Sequence, residues 1–460
     1  METLSTNVAE ESVRAALNAV HGITLLHSVL DDTVGQSILA LLQALTTEES
    51  DATTISRAYS RAFRALATAA NTEEWVANLS DAWQAYLVTR ILDDTNPWSV
   101  RAERSGTAGI SPALRGQAQR DLHALQLLFN LTADMLWHLT CDAVTPTIPV
   151  LRDAWVPWDD LALPQSEVTR RPTTRDVLCH QMAERDDWTT LVDPLTDYWA
   201  RHGTGPFAHY HVLRWQGREE GLHGITHPDP IQLYSLIGYE QEQARLKANI
   251  ERFLLGLPAH DAVLYGPPGT GKSSTVKALA NEYADRGLRL IEVRKDLVDD
   301  LPWIVASLRG RAPRFLIFID DLSFEEHETQ YKALKVLLEG AAEARPGNIL
   351  IYATTNRLNL IRENFSDRGS PTDDVHWRDT MDEKNALIAR FGLRITFALP
   401  DQERYLKIAT ALARQRGLEL PEETLRMRAL QWERQHTGRS GRLARQFADD
   451  LEAELGYTEQ

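Results

Sequence analysis

Residues 266–273 read Gly266-Pro267-Pro268-Gly269-Thr270-Gly271-Lys272-Ser273, which is the complete pattern G-x-x-x-x-G-K-S. A short apolar run, Ala262–Tyr265, predicts a strand that leads into this stretch, and a helix is predicted to begin at Ser273. The glycines let backbone N–H groups converge on phosphate oxygens without Cβ clashes. A lysine can then reach the β- and γ-phosphates, a serine hydroxyl can bind Mg2+, and the helix N-terminus adds partial positive charge. The stretch therefore predicts a site for a nucleoside triphosphate.

A second stretch, about fifty residues further on, carries two carboxylates at the end of an apolar run. Residues 315–319 are all apolar and predict a buried parallel strand, which is followed directly by Asp320 and Asp321. The carboxyl end of a neighbouring strand faces the same crevice as the phosphate loop. We therefore expect Asp320 to hold Mg2+ together with Ser273, and Asp321 to act as the base that polarises the attacking water. An ordinary turn at the end of a strand is the alternative.

A third stretch, Tyr352-Ala353-Thr354-Thr355-Asn356, completes a set of motifs that resembles the core of an AAA+ ATPase. The resemblance implies that Asn356 senses the γ-phosphate and positions the lytic water. It also implies that residues 236–238 pack against the adenine base. The cofactor-binding residues that follow from the phosphate loop and from this resemblance are Ile237, Gly238, Gly266, Pro267, Pro268, Gly269, Thr270, Gly271, Lys272, Ser273 and Ser274.

Two more stretches resemble AAA+ segments that contribute arginines. Leu387-Ile388-Ala389-Arg390-Phe391-Gly392 is similar to the segment with the arginine finger, which implies that Arg390 acts on ATP held by a neighbouring subunit. A surface arginine paired with nearby acidic residues is the alternative. Gly438-Arg439-Ser440-Gly441-Arg442 resembles the start of the lid helix with the second sensor, and we assign that role to Arg442, with Arg439 as the alternative. The catalytic set is then Asp321, Asn356, Arg390 and Arg442.

A narrower resemblance covers about half of the chain. Residues from about 230 to 447 resemble a bacterial AAA+ family of unassigned function, the DUF815 type of domain. The stretches that carry this resemblance are 236–240, 287–293, 320–325 and 389–393. The resemblance implies an ATP-binding engine and names no substrate.

The chain departs from the AAA+ pattern at the catalytic carboxylate. Most AAA+ engines have glutamate after the magnesium-binding aspartate, whereas this chain has Asp321. The missing methylene withdraws the carboxylate by about 1.5 Å, and a misplacement of that size can cost about a hundredfold in rate. We therefore expect slow hydrolysis, through Asp321 itself or through Glu325 reaching in; ATP binding with little turnover is the alternative. Residues 294–300 lack the aromatic and glycine residues of a protein-threading pore loop, which makes threading doubtful.

The periodicity of apolar residues divides the chain into three regions. Residues 1–225 have apolar residues at three- and four-residue spacing and predict an all-α N-terminal domain. After the linker His227-Pro228-Asp229-Pro230, short apolar runs alternate with helical stretches in residues 226–400. This alternation predicts an α/β P-loop domain of the AAA+ type, with a parallel sheet flanked by helices. Residues 401–460 again predict helices and form a lid.

Composition and charge exclude several classes of protein. The net charge of −16 argues against a protein that coats nucleic acid, because its surface repels polyphosphate. No apolar run reaches the roughly 18 residues that a membrane-spanning helix needs. Two cysteines, Cys141 and Cys179, are too few for a disulfide framework or a four-thiolate zinc site. The N-terminus has no basic segment followed by an apolar one, so we expect no secretory signal and a reduced, cytoplasmic setting.

These observations lead to one expected function and two alternatives. We expect an ATPase that binds ATP and Mg2+ and hydrolyses ATP slowly, as a ring-forming homo-oligomer such as a hexamer. The ring would remodel a protein client chosen by the helical N-terminal domain. The alternatives are a low-turnover nucleotide switch or scaffold, and a loader associated with nucleic acid, which the acidic surface disfavours. Magnesium is the only metal that we assign.

Overall fold

The computed structural model describes residues 2–47, 49–72, 79–149, 154–159, 161, 173–322, 331–339, 346–356, 389–436 and 438–458. The chain divides into two units, Met1–His209 and Tyr210–Gln460. No helix within the described ranges is long and apolar enough to cross a membrane.

The first unit is helical in its described parts, as the sequence predicts. Its helices are α1 Glu2–Val20, α2 Thr33–Thr46, α3 Ala52–Thr72, α4 Ala82–Asp93, α5 Pro97–Ser105, α6 Pro112–Phe129, α7 Ala133–Val144, α8 Thr174–Glu184, α9 Val192–His202 and α10 Pro206–His209. Local signals start several of these helices. The Ser111 side chain accepts the Leu114 N–H with Pro112 at the first helical position, and Asn96 forms a capping box with Ser99. Buried tryptophans such as Trp83 and Trp98 belong to the core of this unit.

The second unit is built on one sheet. Among its described residues the strands are β1 Val212–Trp215, β2 Leu222–Gly224, β3 Ala262–Tyr265, β4 Leu288–Val293, β5 Arg314–Ile319, β6 Ile349–Thr355 and β7 Leu393–Thr396. They lie in the order β2-β1-β4-β5-β6-β3-β7, and every neighbouring pair is parallel except β1 and β2. The predicted parallel sheet is therefore confirmed. Because β3, β5 and β6 are parallel, their carboxyl ends lie at the same edge, where the predicted motifs follow them.

The first two strands differ from the helical prediction for residues 1–225. Leu213 in β1 pairs with Ile291 in β4, so this segment extends the sheet of the second unit at its edge. The helical unit ends at His209, sixteen residues before the predicted boundary at 225. Segments as short as three or four residues do not separate strand from helix by periodicity alone, and here the pairing of β1 with β4 decides between them.

The helices of the second unit flank the sheet and form the lid. They are α11 Glu240–Leu254, α12 Lys272–Tyr283, α13 Leu301–Leu308, α14 Tyr331–Glu339, α15 Gln402–Gln415, α16 Glu422–Gln435 and α17 Gly441–Thr458. Helices α15, α16 and α17 lie in the predicted lid, residues 401–460. Buried lid residues such as Tyr405 and Phe447 share one hydrophobic cluster with the sheet residues Leu264 and Leu316. The lid is therefore packed onto the α/β part of the unit.

Candidate active site

The phosphate loop, residues 266–273, joins β3 to α12 as predicted. Gly266 and Gly269 have φ angles of 155° and 79°. A Cβ atom on Gly266 would lie 2.1 Å from the carbonyl oxygen of Phe397, and one on Gly269 would lie 3.1 Å from the Cβ of Arg442. Glycine is therefore required at the first position by close approach of the backbone and is favoured at the second by its positive φ. The loop is also closed internally, because the Thr270 hydroxyl donates to the carbonyl of Pro267 at 2.9 Å.

Lys272 turns its ammonium group into this loop. The Nζ atom donates to the carbonyl oxygens of Gly266 at 2.6 Å and Pro267 at 2.9 Å, and to Oδ1 of Asn356 at 2.8 Å. The residue is only 6% exposed. Burial lowers the pKa of Lys272, although the nearby carboxylates of Asp320 and Asp321 oppose this effect. The structure thus brings together the lysine of the loop and the polar residue at the end of β6.

Ser273 and Asp320 form a pair of oxygen ligands at the same edge. The Ser273 hydroxyl, in the first turn of α12, donates to Oδ1 of Asp320 at 2.6 Å. Asp320 follows β5 and is exposed to solvent. A hydroxyl and a carboxylate are hard oxygen donors of the kind that Mg2+ prefers. The residues present therefore fit the predicted magnesium ion. Ser274, the next residue in the helix, is half-buried.

Asp321 has an unusual backbone conformation that the sequence does not reveal. Its φ is 51°, and it is the one non-glycine residue with a positive φ among the described residues. Its Oδ1 accepts a hydrogen bond from Nδ2 of Asn356 at 2.8 Å. Since Asn356 also accepts from Lys272, the three side chains form a continuous hydrogen-bonded chain across the site.

Thr354 is a residue of the site that sequence reasoning missed. Its hydroxyl donates to Oδ1 of Asp320 and accepts the backbone N–H of Asp321 at 2.9 Å. The signal was present in the sequence, because Thr354 and Asn356 lie two residues apart and point to the same side of β6. Only the register of β5 against β6 makes that side the one that faces the aspartates.

The start of α17 lies against the phosphate loop. The backbone N–H of Arg442 donates to the carbonyl of Gly269 at 3.2 Å. The charge of Arg442 also contributes to the lowered pKa of Lys272, as expected for two cations in one site. Arg439, the alternative second sensor, forms instead an ion pair with Glu433 at 2.6 Å. Arg442 therefore lies beside the phosphate loop, whereas Arg439 is paired within the lid.

The segment expected to contact adenine packs on the lid. Gly238 has a φ of 94°, and a Cβ atom there would lie 3.0 Å from Ile408 in α15. Its N–H donates to Glu240, which forms an ion pair with Lys407 of the same helix at 2.7 Å. Ile237 is half-buried. Residues 237–238 therefore connect the sheet side of the unit to the first lid helix.

Arg390 is not brought into the site of its own chain. It precedes β7, whose first residue Leu393 pairs with Ala262 at the start of β3. Because β3 and β7 are parallel, Arg390 lies at the opposite edge of the sheet from the phosphate loop. Glu325, the alternative catalytic carboxylate, lies outside the described residues.

Curated relatives match parts of this chain. The "ATPase family gene 2 protein" of Schizosaccharomyces pombe is 30% identical over 174 residues, which is 32% of this chain and 21% of the relative. "Protein CdcH" of Halobacterium salinarum is 27% identical over 44% of this chain and 26% of its own length. The "Proteasome-activating nucleotidase" of Methanocella arvoryzae is 28% identical over 31% of this chain and 40% of its own length. The matched part of the chain thus spans less than half the length of each relative.

A solved structure and a family model complete the comparison. The "RuvB Holliday junction branch migration motor" of Thermotoga maritima matches 50% of this chain and 67% of its own, with 18% identity and a TM-score of 0.36. The model of the family described as "Protein of unknown function (DUF815)" matches residues 208–455, which include the whole sheet, the phosphate loop and most of the lid. The second unit has the mostly parallel sheet with flanking helices that its motifs predicted, and the chain belongs to the DUF815 family.

Proposed function

We propose that this protein binds and hydrolyses Mg·ATP and uses the reaction, within an oligomeric ring, to remodel a protein partner. The observation that supports this most directly is the convergence of three motifs at one edge of the sheet. The phosphate loop, the Ser273–Asp320 pair and the hydrogen-bonded chain of Lys272, Asn356 and Asp321 lie together there. The relatives are named as an ATPase and a nucleotidase, and one of them as an activator of the proteasome, which agrees with a reaction that acts on a protein.

Each side chain has a role that its contacts support. Lys272 exchanges the carbonyl oxygens of the loop for the β- and γ-phosphates, while backbone N–H groups of residues 269–273 hold the remaining oxygens. Ser273 and Asp320 hold Mg2+, which when bound neutralises charge on the phosphates. Asp321 accepts the proton of the attacking water, and Asn356 orients that water beside it. Arg442, brought to the loop by α17, stabilises the charge that develops on the γ-phosphate.

Arg390 acts in this proposal on the ATP of a neighbouring subunit. β3 separates Arg390 from the phosphate loop and spans four residues, or about 13 Å at the rise of a strand. Arg390 is therefore remote from the ATP site of its own chain, and an oligomer is needed to bring it to another site. Arginine fingers contribute about a thousandfold or more to phosphoryl transfer. The helical first unit, which carries no chemical motif, is assigned the choice of the protein client.

A second candidate is a nucleotide switch with little turnover, and Asp321 favours it. The carboxylate that follows Asp320 is one methylene shorter than the glutamate of most AAA+ engines. If that shortening abolishes hydrolysis, ATP would act as a ligand that holds subunits together. The two candidates share the same binding site and differ only in turnover.

The first test separates binding from turnover. Lys272→Ala removes the ammonium group at the phosphates, so we expect ATP affinity to fall by about a hundredfold, since hydrogen bonds to charged groups contribute about 1.5–3 kcal/mol each. Binding is followed by titration with ATP, and hydrolysis by phosphate release. Lys277→Ala is the control, because Lys277 lies on the same helix and its half-buried side chain contacts Glu292 instead. An unchanged ATP affinity in Lys272→Ala would contradict the proposed ATP site. If the wild-type protein binds ATP but does not hydrolyse it, the nucleotide switch is the proposal that remains.

A further inference from the structure

Thr354 contacts both aspartates of the candidate active site. Its hydroxyl donates to Oδ1 of Asp320 and accepts the N–H of Asp321 at 2.9 Å, and the residue is only 1% exposed. We infer that Thr354 is a positioning residue that fixes the magnesium-binding carboxylate and the catalytic carboxylate together, an inference that rests on the ATPase function proposed above.

The register of the sheet explains why this threonine meets the aspartates. In the parallel pair of β5 and β6, Ile319 lies opposite Ala353, so the next residues along the strands are Asp320 and Thr354. The chain after β5 turns back at this point, and the N–H of Leu322 donates to the carbonyl of Thr354 at 2.7 Å. Thr354 therefore accepts from two successive backbone N–H groups: its hydroxyl accepts from Asp321 and its carbonyl accepts from Leu322.

The bond to the Asp321 N–H supports a conformation that this residue would otherwise leave. A φ of 51° lies in the left-handed region, which is disfavoured for residues with a side chain, although aspartate tolerates it better than most. The turn directs the Asp321 carboxylate to Asn356, at 2.8 Å. Because the aspartate side chain is one methylene shorter than glutamate, the backbone must bring its carboxylate closer to the reaction site. The turn held by Thr354 supplies that placement.

The bond to Asp320 limits the rotation of the other carboxylate. The oxygen that accepts from Thr354 also accepts from Ser273 at 2.6 Å. The same oxygen also accepts the N–H of Asp321 at 3.2 Å, so three donors, from β6, from α12 and from the turn itself, set the orientation in which the carboxylate meets a cation. Without the hydroxyl, Asp320 gains rotational freedom, and its orderly pairing with Ser273 weakens.

Hydrogen exchange on the nucleotide-free, full-length protein tests the positioning directly. In Thr354→Val the Asp321 amide loses the hydroxyl that accepts from it at 2.9 Å and keeps only the longer bond to Oδ1 of Asp320, at 3.2 Å, so we expect it to exchange about tenfold faster or more. The Leu322 amide binds the backbone carbonyl of residue 354, which the variant keeps, and its exchange should change little. No acceleration at Asp321, or equal acceleration at both amides, would overturn the inference.

The dependence of the protein on Mg2+ tests the functional consequence. We expect Thr354→Val to raise the Mg2+ concentration for half-maximal hydrolysis by about tenfold and to lower kcat, and Thr354→Ser to restore both. Thr140→Val is the matched control, since Thr140 is equally buried and its hydroxyl donates only within α7, to the carbonyl of Leu136. Wild-type Mg2+ dependence in Thr354→Val, or failure of serine to restore it, would overturn the inference.

The two proposals fail in different ways. If the wild-type protein does not hydrolyse ATP, the ATPase function fails, while the Mg2+ dependence of ATP binding and the exchange of the Asp321 amide still decide the role of Thr354. If the wild type hydrolyses ATP but Thr354→Val behaves like it in both experiments, only the role of Thr354 fails.

Discussion

At the scale of single residues, Asp321 combines a short side chain with a left-handed backbone. A non-glycine residue in this conformation stores roughly 1–2 kcal/mol of strain. Such strain persists only where the surroundings fix it, and the contacts with Thr354 and Asn356 do so here. Strain at a site that also contains a buried lysine and a pair of oxygen ligands is typical of a group placed for chemistry.

Asp321→Asn tests whether this carboxylate acts as the base. Asparagine keeps the oxygen that accepts from Asn356 and tolerates the left-handed backbone, so the site should keep its shape. Only the ability to accept a proton is lost, and we expect kcat to fall by about a hundredfold or more with little change in ATP affinity. Steady-state hydrolysis and ATP titration measure the two effects. Turnover at the wild-type rate would remove Asp321 from the role, and loss of ATP binding would assign it a structural one.

The residues of this site differ in how far the sequence predicts them. Lys272, Asp320 and Asn356 follow recognisable strands, so their meeting at one edge follows from the parallel sheet alone. Thr354 and the left-handed turn of Asp321 depend on which residue of β6 lies opposite which residue of β5. That register exists only in the assembled sheet, so it cannot be predicted from a local pattern in the sequence.

At the scale of elements, the hairpin of β1 and β2 is the main departure from the predicted organisation. It extends the sheet beside β4 and reaches the turn that follows that strand. The carboxylate of Asp300 accepts from Nε1 of Trp215 at 3.0 Å and from Nε of Arg218 at 2.6 Å. Trp215 ends β1 and Arg218 lies in the hairpin loop, so one carboxylate holds the hairpin to the segment Lys295–Asp300. This contact joins residues more than eighty positions apart, which sequence periodicity cannot reveal.

Asp300→Asn should loosen the hairpin in a way that depends on pH. Burial alone raises the pKa of Asp300, but the hydrogen bonds from Trp215 and Arg218 outweigh it and lower the pKa overall. The carboxylate therefore stabilises the fold above the unfolded-state pKa of about 4, and this contribution is lost as pH falls through the lower folded-state pKa. We expect the free energy of opening of β1 to fall by about 1–3 kcal/mol at neutral pH, and the difference from wild type to shrink in acid.

Native-state hydrogen exchange of the β1 amides measures that opening energy. Asp299→Asn is the matched control, because Asp299 is the preceding residue and is exposed. A similar loss in both variants would show that the charge of the segment matters rather than the contact with the hairpin. A difference that stays constant in acid would show that the Asp300 carboxylate is not the group responsible.

At the scale of the whole molecule, the two units carry different kinds of information. The helical unit has a large buried core and no motif, so its fold class follows from apolar periodicity but its partner does not. The second unit carries the motifs in its linear sequence, and its sheet was predicted from β3 to β7. The position of Arg390 relative to another subunit of the proposed ring does not follow from one chain. That question belongs to the assembly.

If the protein forms the proposed ring, the ATPase rate per subunit should rise with protein concentration, and a mixture of two inactive variants should regain activity. Lys272→Ala subunits lack an ATP site but keep Arg390, whereas Arg390→Ala subunits keep the ATP site. In an equal mixture with random neighbours in a closed ring, about a quarter of the sites combine an intact loop with an intact arginine, so about a quarter of the wild-type rate should return. Mixing Lys272→Ala with Asp321→Asn is the control, since neither subunit then offers both the ATP site and the base. An Arg390→Ala protein as active as wild type would place Arg390 outside the reaction, and so would a mixture no more active than its two components. The mixture is decisive because a subunit that binds no ATP can supply only an arginine that acts across the subunit boundary.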